Sequence, residues 1–143
     1  MIEQQRELFP LSLSQLNIWN LERAFPGTSI NNISTTVRIR GHLDMPLLQE
    51  SIQRILACDA SLRTRLSVVD GQVMQYHVPY EREEFPVYDF CNTSTAGFEN
   101  WENSVTRERM PLEEMPLYRF VLFRDGERSG GVLVKLHHII SDG

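Results

Sequence analysis

The chain closes on KLHHIISDG, Lys135–Gly143, which sets His137 and His138 side by side at the end of an apolar run, with Asp142 and Gly143 just behind. Three chemistries use residues of these types. In a metal site the two imidazoles would share one ion. Neighbouring side chains on a strand point to opposite faces, so a strand running through His138 would separate them. The other histidines, His42 and His77, are distant in sequence and offer no familiar ligand spacing. As structural groups, histidines at a strand end would be buried and satisfied by hydrogen bonds. As a general base, an imidazole titrating near about 6.5 suits proton abstraction at neutral pH. Strand ends that lead into loops are where mixed α/β folds gather such groups. Asp142-Gly143 supplies a tight turn, and a buried aspartate there needs a cationic partner. Such an ion pair would lock the turn and orient the histidine. Ser141 lacks the G-x-S-x-G setting of a nucleophile elbow.

These residues need elements to hold them. After a polar lead-in to Phe9, Pro10 opens LSLSQLNIWNLERAFPG, where Leu13, Leu16 and Trp19 recur at helical spacing. A helix is expected near 12–24, capped by Ser12 or Ser14 and stopped by Pro26-Gly27. Ile33, Thr35, Val37 and Ile39 alternate with polar residues and predict a strand with that row buried. Asp44 and Pro46 begin a second helix with Leu48, Ile52, Ile55 and Leu56 as its apolar stripe. Leu66–Val69 and Val73–Val78 flank Asp70-Gly71, a type I′ hairpin signal. Residues 79–97 read as loop with a short strand at Val87–Phe90, and Glu81–Glu84 as a solvated segment. Phe98, Trp101 and Val105 mark a third helix that ends before Pro111. Two final strands, Leu117–Phe123 and Gly131–Leu136, are joined through Asp125-Gly126. Helices interleaved with hairpins predict an α/β fold, one mixed sheet flanked by helices. Trp19, Trp101 and the phenylalanines are expected in core or interface packing.

The length of 143 residues fits one domain, and 41% apolar with 23% charged residues is the balance of a folded domain with a core. A formal net charge of −5 disfavours nucleic acid as a partner. The apolar runs are too short for a membrane span. Cys58 and Cys91 lack CxxC spacing and no leader precedes them, which suggests inert thiols in a cytoplasmic protein.

HHIISDG resembles the H-H-x-x-x-D-G motif of condensation domains of nonribosomal peptide synthetases, relatives of chloramphenicol acetyltransferase. Two further stretches agree in order and spacing. LSLSQLNIWNL resembles the signature S-x-A-Q-x-R-L-W-x-L through Ser12, Gln15, Trp19 and Leu21, with Ser14, Asn17 and Ile18 as departures. SLRTRL resembles the end of R-H-E-x-L-R-T-x-F through Leu62, Arg63 and Thr64. Cys58, Asp59 and Ala60 stand where R-H-E is usual, and Leu66 replaces phenylalanine.

The resemblance implies that residues 1–143 form the incomplete N-terminal lobe of a two-lobe acyltransferase with a chloramphenicol acetyltransferase-like fold. It implies His138 as the catalytic histidine and His137 as its support. Asp142 becomes a structural acid paired with Arg63. Gly143 keeps the substrate tunnel open, and its N–H is an oxyanion contact. The implied reaction is amide-bond formation between a carrier-bound acyl or peptidyl thioester and a carrier-bound aminoacyl acceptor. No cofactor is bound by the lobe itself; the substrates ride on 4′-phosphopantetheine. The implied partners are carrier protein domains, the C-terminal lobe and an adjacent adenylation domain, with donor delivery in trans or a starter-type acyl donor both open. The lobe alone is expected to be inactive. An epimerisation domain shares the histidine motif, although LSLSQLNIWNL fits condensation better. A non-catalytic recruitment domain of the same fold usually lacks the second histidine. Heterocyclisation is disfavoured by the histidine pair. An unrelated α/β binding domain would lack His138 at a strand end.

Overall fold

A computed structural model describes residues 6–141. A two-residue strand β1 (Phe9–Pro10) leads into helix α1 (Leu13–Ala24), then strand β2 (Asn32–Ile39) and helix α2 (Met45–Cys58). The hairpin β3 (Thr64–Val69) and β4 (Gln72–His77) follows, then β5 (Val87–Asp89), helix α3 (Thr95–Arg107) and strands β6 (Tyr118–Arg124) and β7 (Gly130–His137). Single 3-10 turns occupy Ser61–Arg63 and His138–Ile140.

Among the described residues the strands form two sheets rather than the single sheet expected. One is mixed, in the order β2-β7-β6-β5, with β5 parallel to β6 and the other pairs antiparallel. The other is a small antiparallel sheet, β1-β4-β3. The polar lead-in therefore ends in an edge strand, where Pro10 pairs opposite Met74.

The period of two along β6 explains the layers. Tyr118, Phe120 and Leu122 point to one face and pack with Ile52 and Leu56 of α2. Val121 points to the other and packs with Leu133, Val105 and Trp101, placing α3 on the opposite face. Phe123 joins Phe98 and Trp101 there in an aromatic group. At Gly131 a Cβ would stand 1.9 Å from the Val37 carbonyl oxygen and 3.1 Å from the Phe123 ring, so only glycine lets β7 lie this close. Lys135, 1% exposed, reaches the end of α3 and donates to the carbonyls of Val105 at 2.8 Å and Glu108.

Local chemistry sets the element ends. Ser12 and Gln15 form a reciprocal capping box at α1. Asp44 caps α2 by accepting from the Leu47 N–H, with Pro46 in the first turn. Asp70 and Gly71 both have positive φ, 51° and 78°, as a type I′ hairpin requires.

Three further expectations need correction. Ile33 and Val37 are 36% and 47% exposed, because β2 is an edge strand and the core under α2 takes in only Ile39 of that row. Ile55 is 50% exposed, so the stripe of α2 is Leu48, Ile52 and Leu56. Glu83 is not simply solvated: its carboxylate accepts from the Tyr118 hydroxyl, and its N–H donates to Gln53.

Candidate functional site

The last strand, expected over Gly131–Leu136, runs one residue further and stops between the two histidines. β7 ends at His137, and the 3-10 turn begins at His138. One imidazole is buried and the other exposed as a result: His137 is 1% exposed, while His138 faces solvent.

Backbone bonds fix this junction. The His137 N–H donates to the Leu117 carbonyl at 2.9 Å, and the His138 N–H to the Asn31 carbonyl at 2.8 Å. The His137 ring is held at both nitrogens, Nδ1 accepting from the Ile139 N–H at 3.2 Å and Nε2 lying 3.2 Å from Glu22 Oε1. Burial pushes the His137 imidazole below its ordinary value, against the pull of the Glu22 carboxylate. His138 Nδ1 lies 2.6 Å from the Ser141 carbonyl oxygen. A carbonyl only accepts, so Nδ1 carries a hydrogen, and in the neutral ring Nε2 is the nitrogen with the lone pair. The neutral form of His138 held in this way has the tautomer a base needs.

His138 lines a cleft of about 760 Å³. Its walls come from α1 (Ser12, Gln15, Ile18), from the small sheet (Thr64, Gln75, His77) and from the turn itself (Ile139, Ile140, Ser141). Gln15 joins all three. Its Oε1 accepts from the Ser12 N–H, and its Nε2 donates to Gln75 Oε1 at 3.0 Å and to the Ile139 carbonyl at 3.2 Å. The matched Gln of the first signature is therefore a bracket between α1, the hairpin and the histidine turn. His77, remote in sequence, enters the same cleft, with Nδ1 3.3 Å from Thr64 Oγ1. Topology alone makes that approach, and no spacing in the sequence announces it.

Arg63 lies in the 3-10 turn after α2. Its Nη1 donates to the carbonyls of Leu56, Ala57 and Asp59 at 2.7, 2.8 and 3.2 Å, and its Nε to Val78 at 3.2 Å. It closes the C-terminal end of α2 and ties it to the exit of β4. Asp142 and Gly143 lie outside the described residues, and so does the expected Arg63–Asp142 pair. Sequence reasoning missed Glu22 and Asn31. The signal for Glu22 is an acidic residue three after Trp19, inside the buried stripe of α1; nothing local marks Asn31.

No group of three or more His, Cys, Asp or Glu able to hold a metal ion occurs among the described residues. Cys58 and Cys91 are exposed and unpaired, and the Asp89 carboxylate beside Cys91 raises its thiol above the ordinary value. No helix among the described residues is long and apolar enough to cross a membrane.

Comparison with known proteins places these features in a wider set. The condensation domain family model matches residues 5–143. A linear gramicidin synthase polypeptide from Brevibacillus parabrevis is 31% identical over 138 residues, 94% of this chain and 2% of that polypeptide. Surfactin synthase subunit 1 of Bacillus subtilis (strain 168) is 29% identical over 140 residues, 94% of this chain and 4% of that protein. The fold superposes on the starter condensation domain of rhizomide synthetase RzmA with a TM-score of 0.82 and 23% identity, over 96% of this chain and 34% of that one. The first condensation domain of the CDA synthetase gives 0.79 and 17%, over 92% of this chain and 36% of that one. The chain thus spans about a third of these solved domains. With the family model running from residue 5 to residue 143 over the capped helix, the hairpin and the histidine turn, this chain belongs to the condensation domain family.

Proposed function

We propose that the chain is the N-terminal lobe of a nonribosomal peptide synthetase condensation domain and that His138 serves amide-bond formation. The observation that carries this is the His138 imidazole, exposed in the cleft with Nδ1–H tied to the Ser141 carbonyl and Nε2 the nitrogen not used in that bond. A thioester is already an activated acyl donor, and an amine is a good nucleophile once neutral. The enzyme has mainly to align two tethered reactants and to take one proton. In this reading Nε2 accepts that proton from the attacking amine, or fixes the amine by hydrogen bonding. The amine nitrogen bonds to the thioester carbonyl carbon, the carbon–sulfur bond breaks, and the departing thiolate recovers the amine's proton to leave as the donor thiol.

His137 is the support of the turn, and Asp142 and Gly143 take their roles from the motif. Asp142 is a structural acid partnered by Arg63; Gly143 opens the tunnel and offers its N–H to the oxyanion. The substrates are carried on 4′-phosphopantetheine, so carrier protein domains are the partners, together with the C-terminal lobe and an adenylation domain. The relatives that belong to linear gramicidin and surfactin synthases support this setting.

The test is reconstitution of a complete domain carrying this lobe with a loaded donor carrier and a loaded acceptor carrier, product amide being read by mass spectrometry. His138→Ala is expected to lower turnover by about 10²- to 10⁴-fold. Undiminished amide formation in that variant, or exchange of the α-hydrogen without amide product, would overturn the reading.

A further inference from the structure

Glu22 is a carboxyl in an expensive place. It is 6% exposed, near the end of α1, and a buried carboxyl without donors is strongly disfavoured. Its Oε1 takes two hydrogen bonds, from Asn31 Nδ2 at 3.0 Å and from His137 Nε2 at 3.2 Å. Both partners are buried, at 6% and 1% exposed. A leucine or methionine would fill the same space beside Trp19 at lower cost. The carboxyl is therefore best explained by what it holds.

Its two partners hold the two residues that follow His137. The Asn31 carbonyl accepts the His138 N–H, and His137 Nδ1 accepts the Ile139 N–H. A backbone N–H can only donate, so His137 Nδ1 is unprotonated and Nε2 carries the hydrogen that points to Glu22. One tautomer makes both bonds. The opposite tautomer, or the imidazolium, would leave the Ile139 N–H without its acceptor. Residues 137, 138 and 139 are in this way all gripped from a single carboxyl. Gln15 stands seven residues before Glu22, on the same side of α1, and its amide reaches the Ile139 carbonyl at 3.2 Å. The helix meets the turn at two points two helical turns apart.

We propose that Glu22 is a positioning residue for His138, acting through the Nε2–H tautomer of His137 and through the Asn31 amide. This rests on the reading of His138 as the group that handles the amine. Glu22 touches no reacting atom. It fixes the turn from which His138 projects, so its removal shows in turnover and not in carrier binding.

The experiment uses a complete domain carrying this lobe, with ¹⁵N-labelled histidine and loaded carriers. Long-range ¹⁵N–¹H spectra at neutral pH are expected to show His137 as a neutral Nε2–H imidazole. Glu22→Gln keeps the accepting oxygen, and should keep that signature with kcat within about threefold. Glu22→Leu should lose the signature and about 10- to 100-fold in kcat, with KM for both carriers nearly constant. A wild-type His137 seen as the Nδ1–H tautomer or as imidazolium overturns the proposal, and this reading needs no variant to fold. A folded Glu22→Leu domain with wild-type kcat, where His138→Ala is impaired, also overturns it. If neither variant loses turnover, the reading of His138 falls and the positioning role falls with it. The Nε2–H signature would survive as a structural fact, which tells the two failures apart.

Discussion

The His137 imidazole is 1% exposed, and burial holds it below its ordinary value of 6.5, with the exposed His138 adding to the shift and Glu22 opposing it. The sign of the consequence follows from linkage. The unfolded chain takes up a proton at this histidine as pH falls through about 6.5, while the folded chain takes it up only at lower pH. Stability conferred by neutral His137 is thus complete above 6.5, declines as pH falls from there to the depressed folded value, and is level below it. The urea midpoint of a domain carrying this lobe should fall on acidification across that window, and His137→Asn should flatten the fall. An equal slope in wild type and variant would show that His137 is not buried neutral. The sequence leaves these two residues open between metal, structural and catalytic roles, because the choice depends on where the strand stops. Strand alternation predicts divergence if the strand runs on. Instead the change from extended to 3-10 backbone at His138 does the separating. Glu22 and Asn31 are less legible, since a polar residue in a helix or loop ordinarily reads as solvated until its buried partner, here 115 residues away from Glu22, is known.

At the scale of elements, helices and strands are largely written locally. Ser12 with Gln15, Asp44 with Pro46, and Asp70 with Gly71 mark boundaries by side-chain and φ requirements that act within a few residues. The assignment of faces is what local pattern gets wrong, as at Ile33, Val37 and Ile55. Burial of these depends on which distant element covers them, and an edge strand has a sheet neighbour on one side only. Arg63 shows both behaviours. Its place in S-L-R-T is recognisable, yet the bonds it makes among the described residues go to four backbone carbonyls. Three belong to the end of α2 or the residue after it, where a cation complements both the unpaired carbonyls and the helix dipole. Arg63→Met strips these acceptors of a charged donor and is expected to destabilise the domain by about 1.5–3 kcal/mol. Arg63→Lys should recover part of the loss, since an ammonium lacks the fork that spans Nε and Nη1. Chemical denaturation of the three proteins tests this. A methionine variant as stable as wild type would mean that water serves those carbonyls equally well.

At the scale of the molecule, the cleft exists because two sheets meet at α1. The mixed sheet delivers the histidine turn from the end of β7. The small sheet supplies Thr64, Gln75 and His77 opposite, and α1 lies against both. The walls come from segments far apart in the chain, so no local pattern could have drawn the cleft. The same geometry limits what this chain can do. His138 is exposed, and the chain spans 34% and 36% of the solved condensation domains on which it superposes. If the reaction is driven mainly by alignment of two tethered reactants, the rate depends on walls on every side of the base. Removing that confinement forfeits an effective molarity of about 10⁵ M or more, which a lone imidazole offsets only in small part. Residues 1–143 supplied with loaded donor and acceptor carriers are therefore expected to yield no amide above the level of the same chain with His138→Ala. Adding the complementary lobe in trans should restore product if the two associate. Amide formation by residues 1–143 alone, abolished by His138→Ala, would show that proton transfer at His138 rather than confinement carries the rate.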